Sequence, residues 1–475
     1  MLRLSSRAAA VALLAAGLCS CVAGPNFVAP ADTGVSRYTS ATRAPVDSSA
    51  QPADSAAESA PWWASLNSPQ LDATIREALA HNRDLAAARA TLGQMQELLA
   101  ASEGARYPQA DLDASAGRQK YGAAFLGPDK LPPFSFYSVG FSVSYMFDFA
   151  GGVRRTIERQ GALAAYEQHE VDAAALSLSG NVALQALAIA ASRAQIESLE
   201  ALLADDQTDL KLVQDAFEAG SANRVDVLTA LSQRANDQTL LPPLRRELST
   251  AEHALAVLVG RAPADWSAPD FALREFALPQ LLPRTLPAEL AHRRPDILAA
   301  EAQLHAATAA VGIAAANLYP QISLTATAGL QSTALHALFD SNSTAGGLTG
   351  SLTQPLFNHG ALRARERAAD DVMRASLASY EQVILRSFGQ VADALEALDH
   401  DVELLSGEQS AVEISSENLS LTRESYSAGN TGVLQVLEAQ RQSQQARLGL
   451  VRAQAQRYED TVELLLALGG RLPAG

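Results

Sequence analysis

Cysteine and aromatic residues are scarce in this chain of 475 residues: two are cysteines and 5% are aromatic. A disulfide between Cys19 and Cys21 is disfavoured, because so short a loop would be strained. Hydrophobic residues nevertheless make up 48% of the sequence. This composition excludes a disordered chain and indicates a helical protein rich in alanine and leucine.

Positive charge is also sparse, since the formal net charge is -16 and no cluster of lysine and arginine occurs. The sequence therefore predicts no nucleic-acid partner, because phosphate binding requires such clusters. The negative charge itself leaves two alternatives: a solvated acidic surface, or an acidic lumen that favours cations.

Constellations of catalytic residues are lacking as well. The eight histidines are scattered, and neither an HExxH motif nor a GxxxxGK[ST] loop occurs. The acidic pairs Asp205/Asp206 and Asp370/Asp371 are interpreted as solvated helix faces. The sequence predicts no enzyme, no cofactor and no metal site.

The amino terminus has the pattern of an export signal. Arg3 and Arg7 precede an apolar run, Ala8 to Leu18, that is too short to span a bilayer. The following letters LCSC resemble a bacterial lipobox, and Cys21 is the better acceptor because a small residue precedes it. We expect residues 1–20 to be a lipoprotein signal peptide, Cys21 to be lipidated, and residues 21–61 to form a tether.

Most of the remaining chain consists of two copies of one unit. YPQADLDASAG at Tyr107 returns as YPQISLTATAG at Tyr319, and AGSANRVDVL at Ala219 returns as AGNTGVLQVL at Ala428. Matches at nearly constant offset predict tandem repeats. The predicted boundaries are 62–263 for the first repeat, 264–286 for a linker, 287–470 for the second repeat and 471–475 for a tail.

Each repeat is predicted to contain a helix, two strands, a very long helix and a returning helix. In the first repeat these are Leu71–Ala105, a strand from Tyr107, a strand Phe136–Phe149, Val153–Phe217 and a helix ending near Val259. In the second they are Pro287–Asn317, a strand from Tyr319, a strand Leu348–Phe357, Ala361–Tyr426 and a helix ending near Leu468. The long helices repeat apolar residues every seven positions, which predicts packing as a left-handed coiled coil. The paired helix glycines Gly180 and Gly389 predict close packing.

The strand FYSVGFSVSYMFDF alternates strictly and so has one apolar, aromatic face. That face comprises Tyr137, Val139, Phe141, Val143, Tyr145 and Phe147. Four strands cannot close a barrel, and an open sheet would leave two bare edges. We therefore expect a transmembrane β-barrel formed by several subunits, with lipid against the apolar face; a small soluble sheet packed on helices is the alternative.

Several longer segments resemble one family. They are CVAGPNFVAP, WWASLNSPQLDATIREALAHNRDL, FDFAGGVRR, the RRPDI to YPQISL block at 293–324, and YSAGNTGVLQVLEAQRQ. The chain resembles the TolC-like outer-membrane factors of tripartite efflux systems, in particular the NodT-type lipoproteins. The resemblance implies a homotrimer with a twelve-stranded outer-membrane barrel, continued by a helical tube into the periplasm. It also implies two partners, a periplasmic adaptor and an inner-membrane pump, and export of small molecules such as drugs.

The same resemblance implies a gate at the turn of the second repeat, formed by Tyr426, Leu434, Gln435 and Glu438. The adaptor would contact the helix tips at Gly220, Asp226, Gly429 and Thr431. Thr431 and Gln435 stand where some members carry an arginine and an aspartate. These departures weaken the case for a salt-bridge lock without deciding it, and closure is expected to rely more on heptad packing and Leu434, with Glu438 forming a carboxylate ring that attracts cations.

Two other functions fit parts of this pattern. One is a lipid-anchored periplasmic coiled-coil scaffold without a pore, which would explain Cys21 and the heptads but not the strands. The other is the outer-membrane channel of a protein secretion system.

Overall fold

The computed structural model describes residues 22–30, 38, 61–120, 132–279 and 294–470. The predicted signal peptide, the acceptor Cys21 and the tail 471–475 lie outside these residues, as do most of the predicted tether and part of the linker.

The described residues are mostly helical. The helices of the first half are α1 (Pro69–His81), α2 (Arg83–Gly104), α3 (Gly152–Glu218), α4 (Arg224–Gln238) and α5 (Leu241–Leu258). Those of the second half are α6 (Pro295–Ala316), α7 (Ala361–Ser427) and α8 (Val433–Ala467). The long helices α3 and α7 have 67 residues each and end within one residue of the predicted positions. Neither contains proline, so nothing interrupts their backbone hydrogen bonds over about 100 Å.

Two predicted helices are each broken in two. The break between α1 and α2 falls at Asn82, whose side-chain oxygen accepts a bond from the Leu85 amide at 2.9 Å and so caps α2. The returning helix of the first repeat breaks between α4 and α5. Pro242 and Pro243 stand in the first turn of α5, where the missing amide protons would not have been bonded within the helix.

The four strands form one antiparallel sheet in the order β1-β2-β3-β4. Their bounds are β1 Gln109–Gln119, β2 Phe134–Phe147, β3 Gln321–Ser332 and β4 Thr344–Thr353. β1 and β4 are the edges of this sheet, and the strands of the two halves meet where β2 pairs with β3. The prediction of four strands is confirmed, although β2 begins two residues earlier and β4 four residues earlier than expected.

The register aligns the apolar residues of all four strands on one face. Phe141 lies opposite Leu112 of β1 and Ala328 of β3, and Ala326 lies opposite Leu348 of β4. The other face carries Asp111, Ser142 and Thr327 in register, along with further serine, threonine and glycine residues. Large side chains on the apolar face are exposed in the single chain, among them Leu112, Phe141, Val143, Phe147, Leu348 and Leu352.

The chain divides into two compact units. The first comprises the described residues of Met1–Pro30, Thr91–Gln168 and Ala299–Glu381, and it contains the sheet. The second comprises those of Ala31–Ala90, His169–Leu298 and Gln382–Gly475, and it contains the turns between the long and the returning helices.

The RRPDI segment has a structural role in the second unit. Arg294, from the RRPDI segment, is 8% exposed and donates to the Ala467 carbonyl at 2.9 Å, to Asp296 at 2.8 Å and to Gln390 at 2.7 Å. One guanidinium thereby ties the start of α6 to α7 and to the last turn of α8. The core beside it contains Val391, Ala394, Leu464 and Leu468, and Tyr38 of the predicted tether packs against it.

Among the described residues, two helices contain an 18-residue window apolar enough for a membrane span, α3 and α6. In each case half or more of the window is buried inside the structure, 50% and 56% respectively. Their apolar residues are thus used largely within the protein core.

Candidate functional site at the helix tips

Two turns in the second unit have the same backbone, the one between α3 and α4 and the one between α7 and α8. Each contains a glycine with φ of +78°, Gly220 and Gly429. In each, the next residue donates back across the turn: Ser221 to the Ala216 carbonyl and Asn430 to the Ser425 carbonyl, both at 2.9 Å. This is the glycine-dependent way of ending a helix, and any side chain at these two positions would be strained.

The helices that leave these turns begin differently. At α4, the Asn223 side chain accepts bonds from Val225 and Asp226, and the Asp226 carboxylate accepts from the Asn223 amide at 2.9 Å. At α8, Gly432 stands at the cap with no side-chain bond, and Gln435 occupies the position of Asp226. Losing such a cap costs about 1 kcal/mol. The second turn is therefore the less firmly fixed of the two.

An apolar layer joins both hairpins directly behind the turns. Its buried members are Leu210, Val213, Val227, Ala230, Val433 and Leu437. Tyr426 packs against this layer, and burial, together with the charges of Asp226 and Asp209, raises the pKa of its hydroxyl.

The predicted gate residues therefore separate into two groups. Tyr426 belongs to the packed layer, whereas Leu434, Gln435 and Glu438 lie on the exposed side of α8, with Leu434 56% exposed. Glu438 is bonded by Arg441 and Gln442, which lower the pKa of its carboxyl. Arg441 also lies next to Glu438 as an ion pair, so the carboxylate that was predicted to form a ring has a cation beside it.

An ionic layer that the sequence analysis did not predict lies deeper than the apolar layer. Arg423 of α7 contacts Asp209 of α3 at 3.3 Å and Asp205 at 3.6 Å. Burial raises the pKa of Asp209, and the Arg423 guanidinium opposes this shift. A cavity of about 290 Å³ is lined by these three residues, Tyr426 and Val436 among others.

The interpretation of Asp205 and Asp206 as a solvated face was wrong for Asp206, which is 4% exposed. Its carboxylate accepts a bond from Gln440 of α8 at 2.9 Å and lies beside Asp237 of α4. Burial, followed by the charge and hydrogen bonding of Asp237, raises the pKa of Asp206 to about 7. A protonated carboxyl can donate to a neighbouring carboxylate, which is why Asp237 favours the protonated form of Asp206.

The sequence did contain a signal for the buried contacts of Asp206 and Arg423. Asp206 lies midway between Leu199 and Val213, seven residues from each. Leu199 and Val213 are each only 1% exposed. Arg423 likewise occupies a heptad position. A charged residue at a core position indicates a buried polar contact, and only the partners on other helices were missing from the sequence.

The predicted adaptor-contact residues lie at the two turns. The Asp226 carboxylate is engaged in its helix cap, while Gly220 and Gly429 supply the positive φ angles. Thr431 is half-buried, and its hydroxyl has no hydrogen-bond partner among the described residues. Among all the residues that the structure describes, no group of three or more His, Cys, Asp or Glu side chains could hold a metal ion.

Comparison with known proteins agrees with this architecture. The solved structure of the outer-membrane channel OprN aligns with a TM-score of 0.87 and 27% identity, covering 95% of this chain and 99% of that one. The fold is that of the TolC-like outer-membrane channels. The profile of the outer membrane efflux protein family matches residues 74–261 and 286–470, and the chain belongs to that family.

Two relatives illustrate the range of the family. The pyoverdine export outer membrane protein OpmQ of Pseudomonas aeruginosa is 32% identical over 416 residues, covering 86% of this chain and 87% of that protein. The probable outer membrane lipoprotein SilC of Salmonella typhimurium is 30% identical over 407 residues, covering 85% and 86% respectively. The predicted family is confirmed; it is a family of outer-membrane efflux proteins, and neither relative named here is an enzyme.

Proposed function

We propose that this protein is the outer-membrane channel of a tripartite efflux system, which exports small molecules received from an adaptor and an inner-membrane pump. The observation that carries the proposal is the open four-stranded sheet, apolar on one face, polar on the other, and unpaired at both edges within the described chain. Three copies would pair β4 of one subunit with β1 of the next and close a twelve-stranded barrel. The polar face would then line the pore.

The family relationship supports the remaining parts of the proposal. The element order of helix, two strands, long helix and returning helix occurs twice, as tandem repeats require. Cys21 precedes the described segment that begins at Val22, and we assign it as the acyl acceptor. The relative SilC is itself a probable outer membrane lipoprotein.

Planar-bilayer reconstitution of the purified protein tests the function. We expect a heat-sensitive trimer with ion conductance, and a Cys21→Ser variant that still requires detergent for extraction. A lipid-free variant that dissolves in buffer as a helical monomer without conductance would instead identify a periplasmic scaffold.

The repeat also predicts where the subunits meet. A Cβ built on Gly180 would overlap the Leu466 side chain of the same chain, whereas a Cβ on Gly389 would have no atom of the described residues within 4 Å. Gly389 lies 209 residues after Gly180, and Val257, 62% exposed, lies 209 residues before Leu466. We infer that Gly389 packs against Val257 of the adjacent subunit, repeating the contact made inside one chain. The close packing predicted for Gly389 is therefore not made by the described part of the single chain, and we assign it to the trimer.

Gly389→Leu is expected to destabilise the trimer, because the larger side chain would enter the space that Val257 fills. Native electrophoresis before heating should show monomer in place of trimer, with Val257→Ala partly restoring the trimer. Gly407→Leu is the matched control, since the equivalent position in the first repeat, Ser198, already carries a side chain. A Gly389→Leu trimer as stable as the wild type would contradict the assigned interface.

The predicted gate can be tested by replacing two of its residues on the exposed side of α8. Leu434→Ala combined with Glu438→Ala is expected to raise single-channel conductance, because both side chains would face the axis of the closed tube. The matched control is Val225→Ala, at the position of the first repeat that corresponds to Leu434. If the double variant conducts like the wild type, Leu434 and Glu438 do not constrict the pore.

A further inference from the structure

Two motifs that the helix tips do not explain contact each other in the first unit. Val22–Phe27, here called the N-terminal strap, belongs to CVAGPNF, and Gly151 and Arg155 belong to FDFAGGVRR. The Ala23 amide donates to the Ala150 carbonyl at 2.9 Å. The strap thus joins the chain at the point where β2 has ended and α3 begins.

Arg155 holds the strap through the Nε and Nη2 nitrogens of its guanidinium. It is 3% exposed and donates to the carbonyls of Ala23 at 3.2 Å and Gly24 at 3.4 Å, and to the Asn26 side chain at 2.8 Å. Its Nη1 nitrogen donates to the Glu158 carboxylate at 2.7 Å. Three of the four hydrogen bonds of this buried arginine go to one short segment. We therefore infer that Arg155 binds the strap, because leaving buried donors unpaired would destabilise the fold.

The other side of the strap is fitted as closely. Phe27 stacks on His305 with ring centroids 4.3 Å apart and planes 15° apart, and His305 contacts Glu158 at 3.0 Å. Gly24 adopts φ of +80°, and a Cβ there would lie 2.5 Å from the Gly312 Cα. A Cβ on Gly312 would in turn lie 2.7 Å from the Arg155 side chain.

We propose that Arg155, Glu158, His305 and Gly312 form an internal docking site for the N-terminal strap. This docking site would hold Val22, the residue after the acyl acceptor Cys21, at the junction of strand β2 and helix α3. Val22 follows Cys21 directly and contacts the backbone at Gly151, where a Cβ would lie 2.8 Å from the Val22 side chain. The acyl chains would then enter the membrane beside the end of the sheet and not from a free tether. This last step rests on the proposed function, whereas the docking itself does not.

The docking site is tested by hydrogen exchange of the full chain in detergent, with the Ala23 amide as reporter. The wild type is expected to protect this amide, because exchange requires the bond to Ala150 to open. Arg155→Gln should accelerate its exchange about tenfold or more, since several hydrogen bonds to a charged group are lost. Arg155→Lys should give an intermediate rate, because lysine keeps the charge but cannot reach the three acceptors together. Arg154→Gln, which alters the exposed neighbour paired with Asp148, is the matched control.

A variant of the strap itself separates docking from folding of the body. Gly24→Ala is expected to release the strap as Arg155→Gln does, because the methyl group would clash with Gly312 and alanine disfavours a positive φ. Accelerated exchange confined to residues 22–27 in both variants supports the docking site. Exchange at the wild-type rate in both variants overturns it. If the strap is protected in a protein that shows no conductance, the proposed channel function is contradicted, whereas the docking site is still supported.

Discussion

Arg423→Gln should shift the channel toward its open form and increase conductance more than any other single replacement at the tips. Arg423 is the cation between α7 and the two α3 carboxylates, Asp205 and Asp209. A hydrogen bond to a charged group contributes about 1.5–3 kcal/mol, so its loss should change the closed-to-open ratio roughly tenfold or more. Asp209 would also keep its burial without its counterion, which adds to the separation of the helices.

The measurement is single-channel recording of the wild type, Arg423→Gln and Arg447→Gln. Arg447 lies exposed on α8, so its replacement changes the net charge equally and controls for that effect. A charge-swapped variant, Arg423→Asp with Asp209→Arg, should return the conductance toward that of the wild type. Equal conductance in the wild type and Arg423→Gln would show that this ion pair does not hold the closed form.

Asp206 should make the stability of the tip depend on pH in the direction opposite to that of a salt-bridged carboxylate. The pKa of Asp206 is raised to about 7 in the folded protein, from 3.8 for a free carboxyl. The folded state therefore binds more protons than the unfolded state between these values. The stabilisation is complete below about pH 4, falls by about 1.4 kcal/mol for each pH unit above that, and is lost as the pH passes through about 7.

The charged and polar groups around Asp206 determine how readily its carboxyl is protonated. Asp205 and Asp209 on α3 and Asp237 on α4 favour the protonated form of Asp206, while Gln440 on α8 bonds it in either form. Arg423 on α7 contacts the two other α3 carboxylates. A second carboxyl pair, Asp401 and Asp460, adds a similar dependence elsewhere, because burial raises the pKa of Asp401 to about 6.

Asp206→Asn should remove the Asp206 contribution, because asparagine keeps the shape and cannot ionise. Thermal unfolding in detergent at pH 5 and pH 8 should show a smaller difference in Tm for Asp206→Asn than for the wild type. Asp215→Asn, at an exposed position of the same helix, controls for the loss of one negative charge. An unchanged difference in Tm would mean that Asp206 is ionised in the folded protein at both pH values.

The family, the long helices and the four strands could be predicted from the sequence because each follows from a local pattern. Period-two alternation in FYSVGFSVSYMFDF places Phe141 and Val143 on one face whatever the partner strand is. The absence of proline sets the length of α3 and α7. The breaks at Asn82 and before Pro242 were missed because a cap and an N-terminal proline are tolerated inside an otherwise continuous apolar pattern.

The candidate site was predicted only in part. Tyr426 and Leu434 share the same coiled-coil spacing, yet Tyr426 is packed behind the turn and Leu434 is exposed. Spacing along one helix gives the face of a residue relative to its neighbours, but it does not show what that face meets. The missing cap of α8 could have been inferred from Gly432 and Gln435, since Asn223 and Asp226 stand at the same places in the first repeat.

The sequence by itself determined the order of the helices and strands and the two-faced sheet, because these depend on residues close together in the chain. Only the tertiary structure decided that Asp206 lies beside Asp237 and Gln440, that Arg423 joins Asp209, and that Arg155 binds the strap. Each of these contacts joins residues separated by tens to hundreds of positions. Whether such a charge is solvated or buried depends on the packing of helices, which no single stretch of the chain encodes.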